Sequence, residues 1–216
     1  MEKKFILTDK FVINSFGIKL FQIKCTKSFK YAQKGDFGGY VEKEGNLDQK
    51  NDAWVSGNAR VFGNARVSSN ARVSGDAWVS DNARVSGDAW VSDNAWVSSN
   101  AWVSGNAWAS GDARVSGNAR VSGDAWVSGN AWVSGDADIE NDNEHCGFDG
   151  FGSCNRHTHA YMTKEKKVEI ICGCFRGSIE EFEKKVEETH SGTVYEKQYK
   201  SIINVIKIKF GLTDFT

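Results

Sequence analysis

The sequence contains no proline and only four histidines in 216 residues. The absence of proline excludes proline-rich linkers and polyproline ligands. No apolar run reaches the roughly 18 residues that a membrane helix needs, which predicts that the chain does not enter a bilayer. The sequence also lacks an excess of either charge, because it has 27 basic and 28 acidic residues. This balance excludes a polycation that coats nucleic acid and a polyanion that mimics it.

Signals for export are weak as well. Asp9 and Lys10 interrupt the first apolar stretch, so we predict no signal peptide. Five cysteines are an odd number for a secreted disulfide framework. Together these features predict a cytoplasmic protein with reduced thiols.

The distribution of lysine divides the chain into three segments. All 19 lysines lie outside residues 51–140, where six arginines face ten acidic residues. We therefore predict an N-terminal β segment and cap at 1–52, a repeat segment at 53–140 and a C-terminal α+β module at 141–216.

The repeat segment is built from hexapeptides. Alanine recurs every six residues from Ala53 to Ala137, and valine follows two residues later except at Ala109 and Ile139. A period of six does not fit an amphipathic helix, but it fits a short strand followed by a turn of Gly, Ser, Asn or Asp. Three hexapeptides make one coil of 18 residues. The pattern predicts a mainly β protein, a three-sided parallel β-helix of about five coils.

Several stretches resemble known families. The run V-S-G-N-A-R is similar to the hexapeptide signature of left-handed parallel β-helices, and the left hand is implied by this resemblance alone. The lead-in at 34–47 and the C-G-C-F-R-G-S run at 172–178 resemble phage- and prophage-encoded hexapeptide-repeat proteins with a C-terminal Cys-Gly-Cys-Phe module. That resemblance implies a phage or prophage origin. Some enterobacterial relatives are labelled acyltransferases, a label that rests on fold analogy.

The residue between alanine and valine should point outward, and all eight tryptophans occupy this position. Residues 18 apart should lie above one another on three faces. The first face is predicted to carry Trp54, Arg72, Trp90, Trp108 and Trp126. The second is predicted to carry Arg60, Trp78, Trp96, Arg114 and Trp132. The third is predicted to carry Arg66, Arg84, Trp102, Arg120 and Asp138.

Two interpretations of these columns stay open. The rings could stack between coils and stiffen a thin core, or they could form a recognition surface rich in binding hot-spot residues. The predicted binding surface comprises Trp54, Arg72, Trp90, Trp108, Trp126, Trp78, Trp96 and Trp132. The expected partner is a host protein, since the acidic repeats disfavour nucleic acid. Carbohydrate, which also stacks on tryptophan, and assembly into a dimer or trimer stay open.

Catalytic and metal chemistry find little support in the sequence. Hexapeptide acyltransferases use a histidine as general base, but residues 53–139 contain neither a histidine nor an inserted loop. Alternating Asn and Asp at the repeat turns is interpreted as turn chemistry rather than a calcium site. Weak metal-ligand candidates, whose spacing fits no zinc pattern, are Cys154, His157, His159, Cys172 and Cys174. We therefore expect no cofactor and no catalysis.

The sequence thus predicts a phage-derived, non-enzymatic binding protein. Its rigid β-helix would engage a host protein and inhibit or redirect it, for example a component of an anti-phage defence system. The alternatives are a hexapeptide-repeat acyltransferase and a self-assembling structural protein.

Overall fold

The computed structural model describes residues 2–212. Three antiparallel strands come first: β1 (Phe5–Ile13), β2 (Lys19–Cys25) and β3 (Phe37–Val41). A short 3-10 helix spans Glu44–Asn46. These elements lead into the repeats and lie over the first coil.

Fifteen two-residue strands follow, one for each hexapeptide. They are β4 (Trp54–Val55), β5 (Arg60–Val61), β6 (Arg66–Val67), β7 (Arg72–Val73), β8 (Trp78–Val79), β9 (Arg84–Val85), β10 (Trp90–Val91), β11 (Trp96–Val97), β12 (Trp102–Val103), β13 (Trp108–Ala109), β14 (Arg114–Val115), β15 (Arg120–Val121), β16 (Trp126–Val127), β17 (Trp132–Val133) and β18 (Asp138–Ile139). Each strand from β4 to β15 pairs in parallel with the strand three further along, which forms three sheets. The predicted three-sided parallel β-helix is confirmed.

The number of turns differs slightly from the prediction. Val41 of β3 pairs with Val61, and Leu47 forms a bridge with Val67, so an irregular turn precedes the regular coils. With this turn the solenoid has about six turns instead of five.

The solenoid core is thin because its side chains are small. Every repeat alanine from Ala53 to Ala137 is buried, and so is the aliphatic residue two positions later. Each Ala–Val pair buries little apolar area. At ~25 cal/mol per Å² of apolar surface, each pair therefore contributes little free energy. Stability therefore depends on many equal contributions and on the backbone hydrogen bonds between coils.

Donor groups cover the carbonyl edge of the first coil. The Lys4 ammonium donates to the carbonyl oxygen of Ala53 at 2.8 Å. The backbone nitrogen of Tyr40 and the side-chain amide of Asn46 donate to the alanine carbonyls of the other two faces, both at 2.9 Å. Burial lowers the pKa of Lys4 to about 8. The N-terminal segment thus satisfies acceptors that no preceding coil could reach.

The Gly-Gly pair of the lead-in allows this cap to approach closely. A Cβ atom on Gly38 would lie 2.5 Å from the carbonyl oxygen of Val55, and one on Gly39 would lie 2.7 Å from that of Ala59. A side chain at either position would push the cap off the first coil.

The opposite edge is covered by side chains that follow the repeats. Asp142 accepts a hydrogen bond from the backbone nitrogen of Trp126 at 2.7 Å, and Glu144 accepts one from that of Glu140 at 2.7 Å. On the second face, His159 lies 3.1 Å from the carbonyl oxygen of Trp132. All three faces therefore end on a side chain of the C-terminal segment.

The C-terminal segment is a small sheet with two helices, as predicted. Its elements are β19 (His145–Phe151), β20 (Arg156–Met162), β21 (Val168–Cys172), β22 (Phe175–Gly177), α1 (Ile179–His190) and α2 (Val194–Lys209). A capping box begins α1, because Ser178 and Glu181 exchange hydrogen bonds there. No helix within residues 2–212 is long and apolar enough to cross a bilayer.

Candidate binding surfaces of the solenoid

The outward columns form as the spacing predicts, because strands 18 residues apart pair in register. On the first face Trp90 pairs with Trp108, and Trp108 pairs with Trp126. Their ring centroids are 4.8 and 5.1 Å apart, with interplanar angles of 12° and 16°. We call these three residues the Trp stack. The stacking interpretation is therefore confirmed for this face.

Other contacts extend and fix the Trp stack. The guanidinium carbon of Arg72 lies 4.2 Å from the ring centroid of Trp90 and 4.9 Å from that of Tyr31. The indole nitrogen of Trp90 donates to Ser74 at 2.9 Å. These contacts hold Trp90 in one orientation. Trp108 is held by stacking on both sides, since its buried indole nitrogen has no hydrogen-bond partner within residues 2–212.

The exposure of the tryptophans increases towards the C-terminal end of the solenoid. Trp54 is only 5% exposed, because Phe29 packs edge-on against it with centroids 5.4 Å apart. The expectation that Trp54 contributes to an exposed surface is therefore wrong. Trp126, at the other end of the same face, is 50% exposed. The accessible part of the first face is its last coil.

The second face is covered in the same way near its start. Phe16 and Phe62 pack against Trp78, with centroids 6.3 and 5.8 Å away. Trp78 in turn lies 5.7 Å from Trp96 at a tilt of 60°. Trp132, in the last coil, is 40% exposed. Accessible aromatic surface on this face also lies at the C-terminal end.

The third face has a different composition. It carries Arg66, Arg84 and Arg120 with a single tryptophan, Trp102, which is 38% exposed. The indole nitrogen of Trp102 donates to Ser86 at 3.0 Å. This is the basic face of the solenoid.

The Asn and Asp residues before each alanine form three corner columns. The corner between the first and second faces carries Asn58, Asp76, Asn94, Asp112 and Asn130. The corner between the third and first faces carries Asp52, Asn70, Asp88, Asn106 and Asp124. The remaining corner carries Asn64, Asn82, Asn100, Asn118 and Asp136. Side-chain amides donate to the residue one coil further on at 2.9–3.3 Å. Alternation in the first two columns keeps carboxylates apart. Turn chemistry alone does not explain this order.

Three histidines meet beneath the last coil. His145 Nδ1 lies 3.1 Å from His159 Nε2, and the rings of His157 and His159 are 5.6 Å apart. Burial lowers the pKa of His159 to about 3 and also lowers the pKa of His145. Because His159 Nδ1 faces the carbonyl of Trp132, it carries the proton, and His159 Nε2 accepts from His145. His159 thus caps the solenoid in its neutral form.

Of the weak metal-ligand candidates, only His157 and His159 belong to this histidine cluster. His157 pairs with Asp149 at 2.8 Å, and Cys172 Sγ contacts Thr158 and Tyr199 at 3.3 and 3.8 Å. The other candidates are His159, described above, and Cys154 and Cys174, whose side chains are exposed. No group of three or more such ligands with metal-binding geometry occurs within residues 2–212.

Comparison with known proteins agrees with this architecture. The family model described as the YdcK Beta solenoid repeat matches residues 53–69, 65–81, 77–93 and 113–129. The repeat segment is a beta solenoid. All four matches of the beta-solenoid model lie within the hexapeptides, and none reaches the cap or the C-terminal segment. No curated protein matches the chain.

The structure reveals features of the solenoid that the sequence reasoning missed. The hydrogen-bonded corner columns could have been found by aligning residues 18 apart. The covering of Trp54 by Phe29 could not, because no periodic pattern links the N-terminal segment to the repeats.

Proposed function

We propose that the protein is a non-enzymatic binding protein that engages a host protein through the last coils of its first and second faces. The observation that carries this proposal is the half-exposed indole of Trp126 at the end of an otherwise packed Trp stack. Trp132 on the adjacent face adds a second exposed ring. Large aromatic side chains are enriched in the hot spots of protein interfaces.

The rigidity of the Trp stack supports this role. Trp126 is stacked on Trp108, and its indole nitrogen donates to Ser110 at 3.3 Å. A ring that is already ordered loses little conformational entropy when a partner covers it. The stacking and recognition interpretations are therefore compatible.

The charge around the first face indicates the chemistry of the partner. Corner columns with Asp76 and Asp112 on one side and Asp88 and Asp124 on the other border the Trp stack. An acidic rim around aromatic rings favours a partner with Lys or Arg side chains around an apolar centre. The same rim repels the phosphates of nucleic acid.

The resemblance to phage and prophage proteins suggests where such a partner would be found. A host protein of a bacterial cell, such as a component of an anti-phage defence system, is the partner that we propose. Binding by a rigid protein without catalytic groups would inhibit or redirect it by occupying its surface.

The experiment starts with capture from bacterial lysate on the immobilised protein, followed by titration of the purified partner. Trp126→Ser should weaken binding at least tenfold, because it removes the exposed end of the Trp stack. Trp102→Ser is the matched control, since it removes an equally placed indole from the third face and should change affinity less than twofold. Equal affinities for the two variants would disprove the proposal.

Calorimetry with acetyl-CoA tests the acyltransferase alternative. His159, which contacts the backbone of Trp132, is buried and so is not an exposed general base. We expect no transfer of the acetyl group to an acceptor. Saturable binding of acetyl-CoA with acyl transfer would overturn the non-enzymatic assignment.

A further inference from the structure

Two arginines at the start of the third face break a rule that the rest of the solenoid follows. Within repeat residues 53–140, all of which the structure describes, charged residues 18 apart never share a sign except at Arg66 and Arg84. We call these two residues the Arg pair. They are opposite partners on β6 and β9, about 4.8 Å apart along the solenoid. Like charges placed opposite one another destabilise a sheet.

Within residues 2–212, no carboxylate forms an ion pair with either arginine of the Arg pair. Among residues 2–212, the arginine ion pairs are those of Arg120 with Asp138 and Arg176 with Glu169. Two acidic residues lie near the Arg pair but have other partners. Glu44 binds the Lys3 ammonium at 2.5 Å. Asp48 accepts hydrogen bonds from the backbone of Lys50 at 3.0 Å and from Asn51 at 2.7 Å.

The Arg pair lies beside an open cavity that the irregular turn helps to form. This cavity has a volume of about 690 Å³ and is lined by both arginines, by Trp102 and by the irregular turn at 44–49. The irregular turn forms a wall beside a face that is otherwise open. The Arg pair therefore lines a concave surface large enough for a small molecule.

Trp102 adds an aromatic surface to the same cavity. On the first face, Arg72 covers the equivalent Trp90 at 4.2 Å. Within residues 2–212, the cation that lies over Trp102 is instead Arg120, the neighbour on its other side, at 5.4 Å. The side of Trp102 that faces the Arg pair is therefore not covered by a guanidinium.

We propose that the Arg pair and Trp102 form a binding site for a nucleotide. The phosphate group would lie between the two guanidinium groups, which bind phosphate in a bidentate manner. The base would stack on Trp102, as bases do on exposed aromatic rings. Two strand spacings separate Arg66 from Trp102, roughly 10 Å, which a nucleoside monophosphate spans. This site is separate from the first face and does not depend on the function proposed for it.

Calorimetric titration with AMP tests the site. The intact protein should bind AMP, while adenosine and inorganic phosphate should each bind at least tenfold more weakly because each uses half of the site. Arg84→Gln should weaken AMP binding at least tenfold. The matched control is Arg114→Gln, an exposed arginine of the second face, which should change affinity less than twofold.

A second variant and a stability measurement separate binding from folding. Trp102→Ser should weaken AMP binding but leave the weak binding of inorganic phosphate unchanged. Arg84→Gln should not lower the melting temperature, since it relieves the repulsion between the two arginines. AMP should raise the melting temperature of the intact protein but not that of Arg84→Gln. Absence of AMP binding at millimolar concentration would overturn the proposal. Equal losses of AMP affinity in Arg84→Gln and Arg114→Gln would also overturn it. Binding of a glutamate peptide without binding of AMP would show that the Arg pair binds carboxylates instead, and would overturn it too.

Discussion

The first and third faces share one backbone and one hexapeptide, yet they present opposite surfaces. On the first face Arg72 and the Trp stack pack in an unbroken series of contacts between 4.2 and 5.1 Å. On the third face the column begins with two like charges and contains one ring. The difference shows that the Ala and Val positions determine the fold. The outward residue alone decides whether a column packs on itself or remains open to a ligand.

The corners strengthen this contrast. At both corners of the first face the residue before alanine is aspartate in every second coil, whereas the corner between the second and third faces carries only Asp81 and Asp136. The aromatic face therefore has the more acidic border. The two faces should attract ligands of opposite charge.

Acid is expected to lower the free energy of unfolding more than any substitution below. The histidine cluster closes the last coil, and the first and third faces both end at that coil. The pKa of His159 is about 3 in the folded protein and 6.5 in a model compound. Between these two pH values, His159 therefore binds a proton in the unfolded chain but not in the folded chain. Stability should fall as the pH drops below about 6.5, by several kcal/mol in total at about 1.4 kcal/mol per pKa unit.

Urea unfolding between pH 4 and pH 7 measures this loss. His159→Gln keeps a donor for the carbonyl of Trp132 but does not titrate, so its stability should change less with pH. His190→Gln, in a histidine outside the cluster, should retain the full dependence. An unchanged slope in His159→Gln would contradict the assignment.

Truncation of a single indole on each face is expected to have an intermediate effect. Trp108→Ser removes a ring that is stacked on both sides, and it should lower the free energy of unfolding by about 2–3 kcal/mol. Trp102→Ser removes a ring without an aromatic neighbour in its column and should cost about 1 kcal/mol. Equal losses in urea unfolding would show that stacking adds nothing to the first face.

The smallest expected effect concerns the border of the first face. Asn106→Asp places three carboxylates in consecutive coils and should lower stability by about 1 kcal/mol more than Asn106→Ser. Both variants lose the hydrogen bond to Asp124, so their difference isolates the charge. That difference should shrink in about 1 M salt. A difference that persists in salt would argue against charge as the reason for the alternation.

Much of the solenoid could be predicted from its sequence because the repeat is unbroken. Fifteen hexapeptides in register fix the strand pairs, and the strand pairs fix which outward residues are neighbours. The covering of Trp54 and the capping by Lys4 and His159 could not be predicted. These contacts join residues far apart in sequence, and each depends on how an irregular segment folds back.

The terminal segments close the two edges of the solenoid, and this limits the ways in which such a chain can change length. The N-terminal cap and the C-terminal segment each fit one edge of a coil, and every coil offers the same pair of edges. Adding or deleting 18 residues would shift the two ends by about 4.8 Å without rotating them. Adding six would instead turn one end by a third of a revolution. Growth in whole coils would therefore alter the spacing between the terminal structures and preserve their mutual orientation.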